Sequence, residues 1–130
     1  MKELAIVALG GGLGAACRYE LGGWVLHHAP SNAKFPFSTL AVNLLGCFVA
    51  GLLAGMVERR EWFAADVRLF LFTGLLGGFT TFSAFGLDAV TLLRRGEWLV
   101  AGSYVGLSVF GGLVLFAVGG MLVWHRSPAV

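Results

Sequence analysis

The chain has 130 residues, 58% of them hydrophobic and only 12% charged, with a mean hydropathy of +0.84. A soluble domain carries about 25% charged residues, so this sequence lacks the material for a watery surface and reads as an all-α integral membrane protein. Its net charge of +2 comes from nine positive residues scattered along the chain. Nucleic-acid binding needs a basic patch, so no nucleic acid is expected among its partners.

Four apolar spans with short connections use nearly the whole length, predicting a single four-span membrane domain over 1–130. The spans are expected at about 4–26, 37–57, 67–93 and 98–124. The N-terminal segment has one lysine, then an apolar run without a small-residue cleavage site, so it reads as a span rather than a cleavable signal. Arg18 and Glu20 interrupt the first span, and a loop with His27, His28, Pro30, Asn32 and Lys34 follows. Cys17 and Cys47 sit inside spans and read as small buried hydrophobes. Trp24, Trp62, Trp98 and Trp124 fall near span ends, where membrane interfaces favour aromatic residues.

The third span is too long for a simple helix. Residues 67–93 at about 1.5 Å each would reach roughly 40 Å, against a hydrocarbon core of roughly 30 Å. Its middle reads Gly77-Gly78-Phe79-Thr80-Thr81-Phe82-Ser83-Ala84-Phe85, a stretch of low helix propensity. A break near residues 77–82 is therefore expected. Non-helical backbone at membrane depth is tolerated where it is buried in protein or lines a wet cavity, and such breaks mark ion and small-solute sites.

Charge gives no preferred orientation. Lys2, Arg59, Arg60, Arg68 and Arg126 fall on one side, and Arg18, Lys34, Arg94 and Arg95 on or near the other. The positive-inside rule needs a bias to select a topology. Insertion in both orientations follows as an expectation, with assembly into an antiparallel dual-topology homodimer within the lipid bilayer. Three pairs of glycines four apart, Gly10 with Gly14, Gly51 with Gly55 and Gly102 with Gly106, allow close helix approach, either within one subunit or between two.

The candidate chemistry is polar but uncharged. Thr39, Asn43 and Gly46 share one face of the second span, Tyr104 and Ser108 share one of the fourth, and the third adds Thr80, Thr81 and Ser83. An intramembrane polar group is costly and needs a reason. Neutral donors suit a small anion that must exchange hydration water for hydrogen bonds, whereas Glu20 and Asp88 lie toward span ends. Arg18 either raises anion concentration at an entrance or snorkels beside Glu20. Phe79, Phe82 and Phe85 recur every three residues, as a core stripe would; their rings also have positive edges that can contact an anion.

Three stretches carry a resemblance. Gly11-Gly12-Leu13-Gly14-Ala15-Ala16-Cys17-Arg18-Tyr19, the run from Pro36 to Gly46 containing Asn43, and Gly74 to Phe85 occur in order across a four-span chain. Together they resemble the fluoride channel family, the Fluc (CrcB) proteins. The resemblance implies a dual-topology homodimer of the bacterial plasma membrane with two antiparallel fluoride pores, and no enzyme activity. It implies an anion pathway through Asn43, Phe82 and Phe85, extended by Thr39, Tyr104 and Ser108; the residues themselves add Ser83 to this pathway and Arg18 at its vestibule. It also implies a central structural sodium ion held by backbone carbonyls of Gly77 and Thr80. The chain departs from the family pattern at Ala84, Gly86, Asp88 and Gly112. The competing readings are a small dual-topology proton-coupled multidrug exporter, which would need a mid-span carboxylate, and a non-transporting scaffold subunit.

Overall fold

The computed structural model describes residues 1–60 and 63–124, without the side chains of Arg59, Arg60 and Trp124. Expectations placed on Trp62, Arg126 and the side chains of Arg59, Arg60 and Trp124 lie outside the described residues. The described chain is helical throughout its four long segments, with no strand among them. Helix α1 spans Lys2–His28 and α2 spans Phe37–Arg60. The third segment starts as α3 (Ala65–Arg68), passes through a π-helical stretch (Leu69–Leu76), and ends its first half as α4 (Gly77–Phe79). After an extended step at Thr80 and Thr81 it resumes as α5 (Phe82–Arg94). The fourth segment is α6 (Trp98–Gly106), a second π-helical stretch (Leu107–Gly111) and α7 (Gly112–Trp124). All four are long and apolar enough to cross a membrane, the third being 30 residues from Ala65 to Arg94.

Local chemistry sets the connections. Ala29 adopts φ −75°, ψ 151°, the extended conformation that a following proline imposes, and this stops α1 before Pro30. Pro36 precedes α2 and needs no N–H there; its carbonyl accepts the Leu40 N–H at 3.2 Å. The α5–α6 turn uses Gly96 at φ 76°, where the Gly96 and Glu97 N–H groups return to the Leu93 and Leu92 carbonyls. Such a left-handed cap favours glycine because a Cβ would clash.

Helix α1 packs along the first half of the third segment, α2 along α7, and α5 along α6. Glycine makes the first two crossings possible. A Cβ on Gly14 would stand 2.1 Å from the Leu75 carbonyl oxygen, and one on Gly78 would stand 2.3 Å from the Gly11 oxygen. Gly51 is equally tight against the Phe116 oxygen, at 2.0 Å. Two of the three predicted glycine pairs therefore close contacts within one protomer. The third is different: Gly102 and Gly106 have no neighbouring atom within 4 Å of a would-be Cβ.

The third segment breaks, but not at its glycines. Gly77 and Gly78 are helical, and Gly78 serves the contact with α1. The helix opens at Thr80 (φ −84°, ψ 154°) and Thr81 (φ −147°, ψ 115°). The buried core is small, with Ala89, Leu92, Ala101 and Tyr104 clustered between α5 and α6. Large apolar side chains lie mainly outside: Leu99 is 87% exposed, Phe82 84% and Phe110 72%. A watery surface does not tolerate so much contiguous apolar area, whereas lipid or a second copy covers it at no such cost.

Candidate functional site

The break at Thr80 and Thr81 leaves backbone groups that a continuous helix would pair, and each unpaired group at membrane depth costs several kcal/mol, roughly. Neighbouring side chains take them. The Thr81 N–H donates to Asn43 Oδ1 at 2.8 Å, and Asn43 Nδ2 donates to the Thr81 carbonyl at 3.1 Å. Asn43 thus grips both polar groups of one residue. The Thr80 N–H and the Thr80 hydroxyl both donate to the Leu76 carbonyl, each at 2.9 Å. Thr81 Oγ1 accepts the Ala84 N–H at 3.2 Å and lies 3.1 Å from Ser83 Oγ, so Thr81 is the N-cap of α5.

Helix α2 reaches the break because Gly46, one turn beyond Asn43, has no side chain. A Cβ there would stand 2.2 Å from Thr80 Cγ2. The same turn of α2 thereby supplies both the clamp and the space for it.

Two cavities meet at this point. One, of about 350 Å³, lies between α2, the break and the fourth segment, and is lined by Asn43, Thr80, Thr81, Phe82, Phe85 and Ser108. The other, of about 440 Å³, is lined by Arg18, Ser38, Thr39, Thr81 and Ser83 among others. Thr81 lines both. Neither is lined by a carboxylate.

In the first cavity the Phe82 and Phe85 rings lie with centroids 5.4 Å apart and planes inclined by 35°. Ser108 Oγ is buried and has no hydrogen-bond partner among the described residues. An unpaired buried hydroxyl costs on the order of 1–3 kcal/mol, so one that lines a cavity points to a ligand or water there. Ser108 sits in the π-helical stretch of the fourth segment, and such stretches recur at functional sites.

Of the predicted site residues, the structure brings Asn43, Phe82, Phe85, Ser108 and Thr80 to the first cavity, and Arg18, Thr39 and Ser83 to the second. Tyr104 lines neither. It is fully buried, stacks against Phe85 with centroids 5.4 Å apart and meets Phe35 edge-on at 5.7 Å. Its hydroxyl donates to Asp88 Oδ2 at 3.4 Å. Thr39 and Asn43 share a helix face yet open onto different cavities, because the break passes between them. Arg18 forms no ion pair with Glu20; the ion pairs among the described residues are Lys2–Asp66 and Lys34–Glu97. Residues two apart point to different sides of a helix.

Two features escaped the sequence reading. Thr81, which the sequence offers only as a hydroxyl, acts through its backbone and as the cap of α5, for which a threonine at a helix start is the available signal. Cys47 lines the first cavity, and its thiol stands beside Gly112, 3.2 Å from a would-be Cβ.

Four apolar spans, one interrupted where neutral donors and aromatic rings converge, define a multi-pass membrane protein with the architecture of a solute pathway. The profile of the family described as CrcB-like protein, Camphor Resistance (CrcB), matches residues 5–120. The chain is 48% identical over 129 residues to the fluoride-specific ion channel FluC of Rhizobium etli, spanning 99% of this chain and 100% of that one. It is 46% identical over 123 residues to the protein of the same name from Methylobacillus flagellatus, 95% of each chain. The Chloroflexus aurantiacus protein of that name is 43% identical over 119 residues, 92% of this chain and 93% of that one. The chain belongs to the CrcB family.

Proposed function

We propose that this protein is a fluoride-selective channel, passing the ion passively across a bacterial plasma membrane and so lowering cytoplasmic fluoride. The observation that carries the reading is the cavity at the break. Phe82, Phe85, one free amide hydrogen of Asn43 and the unpartnered Ser108 hydroxyl converge there without a competing negative charge. Such groups can replace the water that a small anion sheds, through ring edges and hydrogen-bond donors. Arg18, Thr39 and Ser83 form the approach, where a half-buried guanidinium raises local anion concentration. The fluoride channel names of the relatives support the choice of ion. No step forms or breaks a covalent bond, so the reading needs no enzyme activity. The exporter reading has no support, since neither cavity offers a carboxylate to carry a proton.

The functional unit is an antiparallel homodimer with two pores. The near balance of positive charge and the open glycines of α6 support this, as does the 84% exposure of Phe82, a pore ring that one protomer alone leaves uncovered. The backbone fits a structural sodium ion. Gly77 is exposed, and the Thr81 N–H that its carbonyl would accept in a continuous helix goes to Asn43 instead. The Thr80 carbonyl lies in the extended step. Hard cations favour such carbonyl oxygens, and in an antiparallel pair Gly77 and Thr80 of both copies would hold the ion. Bound there, sodium would neutralise the carbonyl dipoles of the two breaks.

The test is fluoride efflux from liposomes containing purified protein, read with a fluoride electrode against a chloride control. Rapid fluoride release with chloride retained is expected. No fluoride release overturns the proposal and favours the scaffold reading.

A further inference from the structure

Asn43 lies in the first cavity, and the sequence alone makes it a donor to the ion. Its hydrogen bonds show a different main occupation. The side-chain oxygen is taken by the Thr81 N–H at 2.8 Å, and the amide nitrogen gives one of its two hydrogens to the Thr81 carbonyl at 3.1 Å. Only one hydrogen remains. The residue so gripped is the N-cap of α5, which holds Ala84 N–H and Ser83 Oγ through its own hydroxyl. It directly precedes Phe82, and it lines both cavities.

We infer that Asn43 is a positioning residue, a two-point clamp on the Thr81 backbone that fixes the break and thereby aims Phe82 and Phe85 into the anion path. The inference deepens the channel reading and rests on it. Three observations converge. The extended step at Thr80 and Thr81 takes the Thr81 N–H away from its helical acceptor, and the Asn43 amide meets the N–H and the carbonyl of Thr81 with matching acceptor and donor. Asparagine is the residue for this: its two polar atoms sit at one end, able to imitate a neighbouring peptide, whereas aspartate lacks the donor and serine lacks the reach. Gly46 lets α2 approach closely enough for the clamp to close. The clamped residue is also the shared wall of the two cavities, so loosening it disturbs the approach at Ser83 and the rings at Phe82 together.

The clamp is separable from direct donation by an amide-to-ester exchange. Replacing Thr81 with its α-hydroxy counterpart removes the N–H that Asn43 accepts while leaving Asn43 and every side chain in place. Fluoride efflux is measured for the wild type, the ester, Asn43→Ala and the ester within Asn43→Ala, forming a double-mutant cycle. Wild-type efflux tests the fluoride reading by itself. The clamp predicts that the ester slows efflux roughly tenfold in the wild type and changes it by less than about twofold in Asn43→Ala, since the bond is already gone. An ester without effect in the wild type, or one of equal effect in both backgrounds, overturns the inference. If Asn43→Ala does not assemble, Asn43→Ser takes its place with the same expectations. Hydrogen exchange adds a readout independent of flux, because the Thr81 amide of the wild-type protein should exchange at least roughly a hundredfold slower than an unprotected amide. Exchange at the unprotected rate would also overturn the clamp.

Discussion

The seam between α1 and the third segment and the face of α6 carry the same sequence motif, two glycines four apart, and use it in opposite ways. At the seam, Gly10 and Gly14 meet backbone: their would-be Cβ atoms stand 2.8 Å from the Phe70 oxygen and 2.1 Å from the Leu75 oxygen. On α6, Gly102 and Gly106 meet nothing within 4 Å, beside Leu99 and Trp98, which are 87% and 69% exposed. The closed seam builds the protomer. The open face is smooth, apolar and unfilled, the character of a surface for a second copy or for lipid. A small-residue motif therefore reports the possibility of close approach, and its partner decides what that approach is for.

Substitutions can separate the two regions. The largest effect is expected at the seam. Gly14→Ala places a methyl group against backbone that cannot rotate away, and overpacking of this kind costs about 1–3 kcal/mol or more. Thermal unfolding in detergent should fall by many degrees, or the protein should fail to accumulate. Gly12→Ala on the same helix, where the space is open, should leave unfolding unchanged or raise it slightly, since alanine favours the helix by about 1 kcal/mol. Equal sensitivity at both positions would show that the tight backbone contact at Gly14 is not what the seam depends on.

Next in size are the rings of the cavity at the break. Phe82→Ile with Phe85→Ile removes two ring-edge contacts of about 1 kcal/mol each, so fluoride efflux should drop on the order of tenfold to a hundredfold while the dimer persists on size exclusion. Unchanged efflux would show that the rings are only packing. A third effect concerns assembly. Gly102→Leu with Gly106→Leu fills the open face, and crosslinking in bilayers should then show less dimer with an unaltered helical circular dichroism spectrum. Full dimerisation would assign that face to lipid.

The smallest effect lies in the connections. Lys34 pairs with Glu97 at the water side, and exposed pairs of this kind contribute about 0–1 kcal/mol. Lys34→Ala should shift thermal unfolding by a few degrees at most and leave efflux alone. A large loss would mean that the loop after α1 holds the site together, rather than the seam.

What a sequence can and cannot carry is clearest in the third segment. Its length against the bilayer and the Gly-Gly-Phe-Thr-Thr run point to a break, because both are properties of consecutive residues. The cause of the break was not legible. The glycines look like the weak point, yet both are helical and Gly78 packs on α1, while the opening falls two residues later, where Asn43 can receive the Thr81 backbone. Tyr104 teaches the same lesson. Its spacing from Ser108 places the two on one face, but Phe35 and Phe85 enclose Tyr104 in the core, and Ser108 alone reaches the cavity.

The class is legible in consecutive residues: four apolar spans, an interrupted third, nearly balanced charge and a polar set without carboxylates. These follow from composition and periodicity, which act within a helix. Packing between segments settles which glycines are spent inside the protomer, which of two cavities each hydroxyl lines, and that Asn43 grips the peptide at Thr81. Those are contacts between residues distant in the chain, Gly14 with Leu75, Gly51 with Phe116 and Asn43 with Thr81; the last answers the need to pair backbone groups exposed when a helix opens in a medium without water.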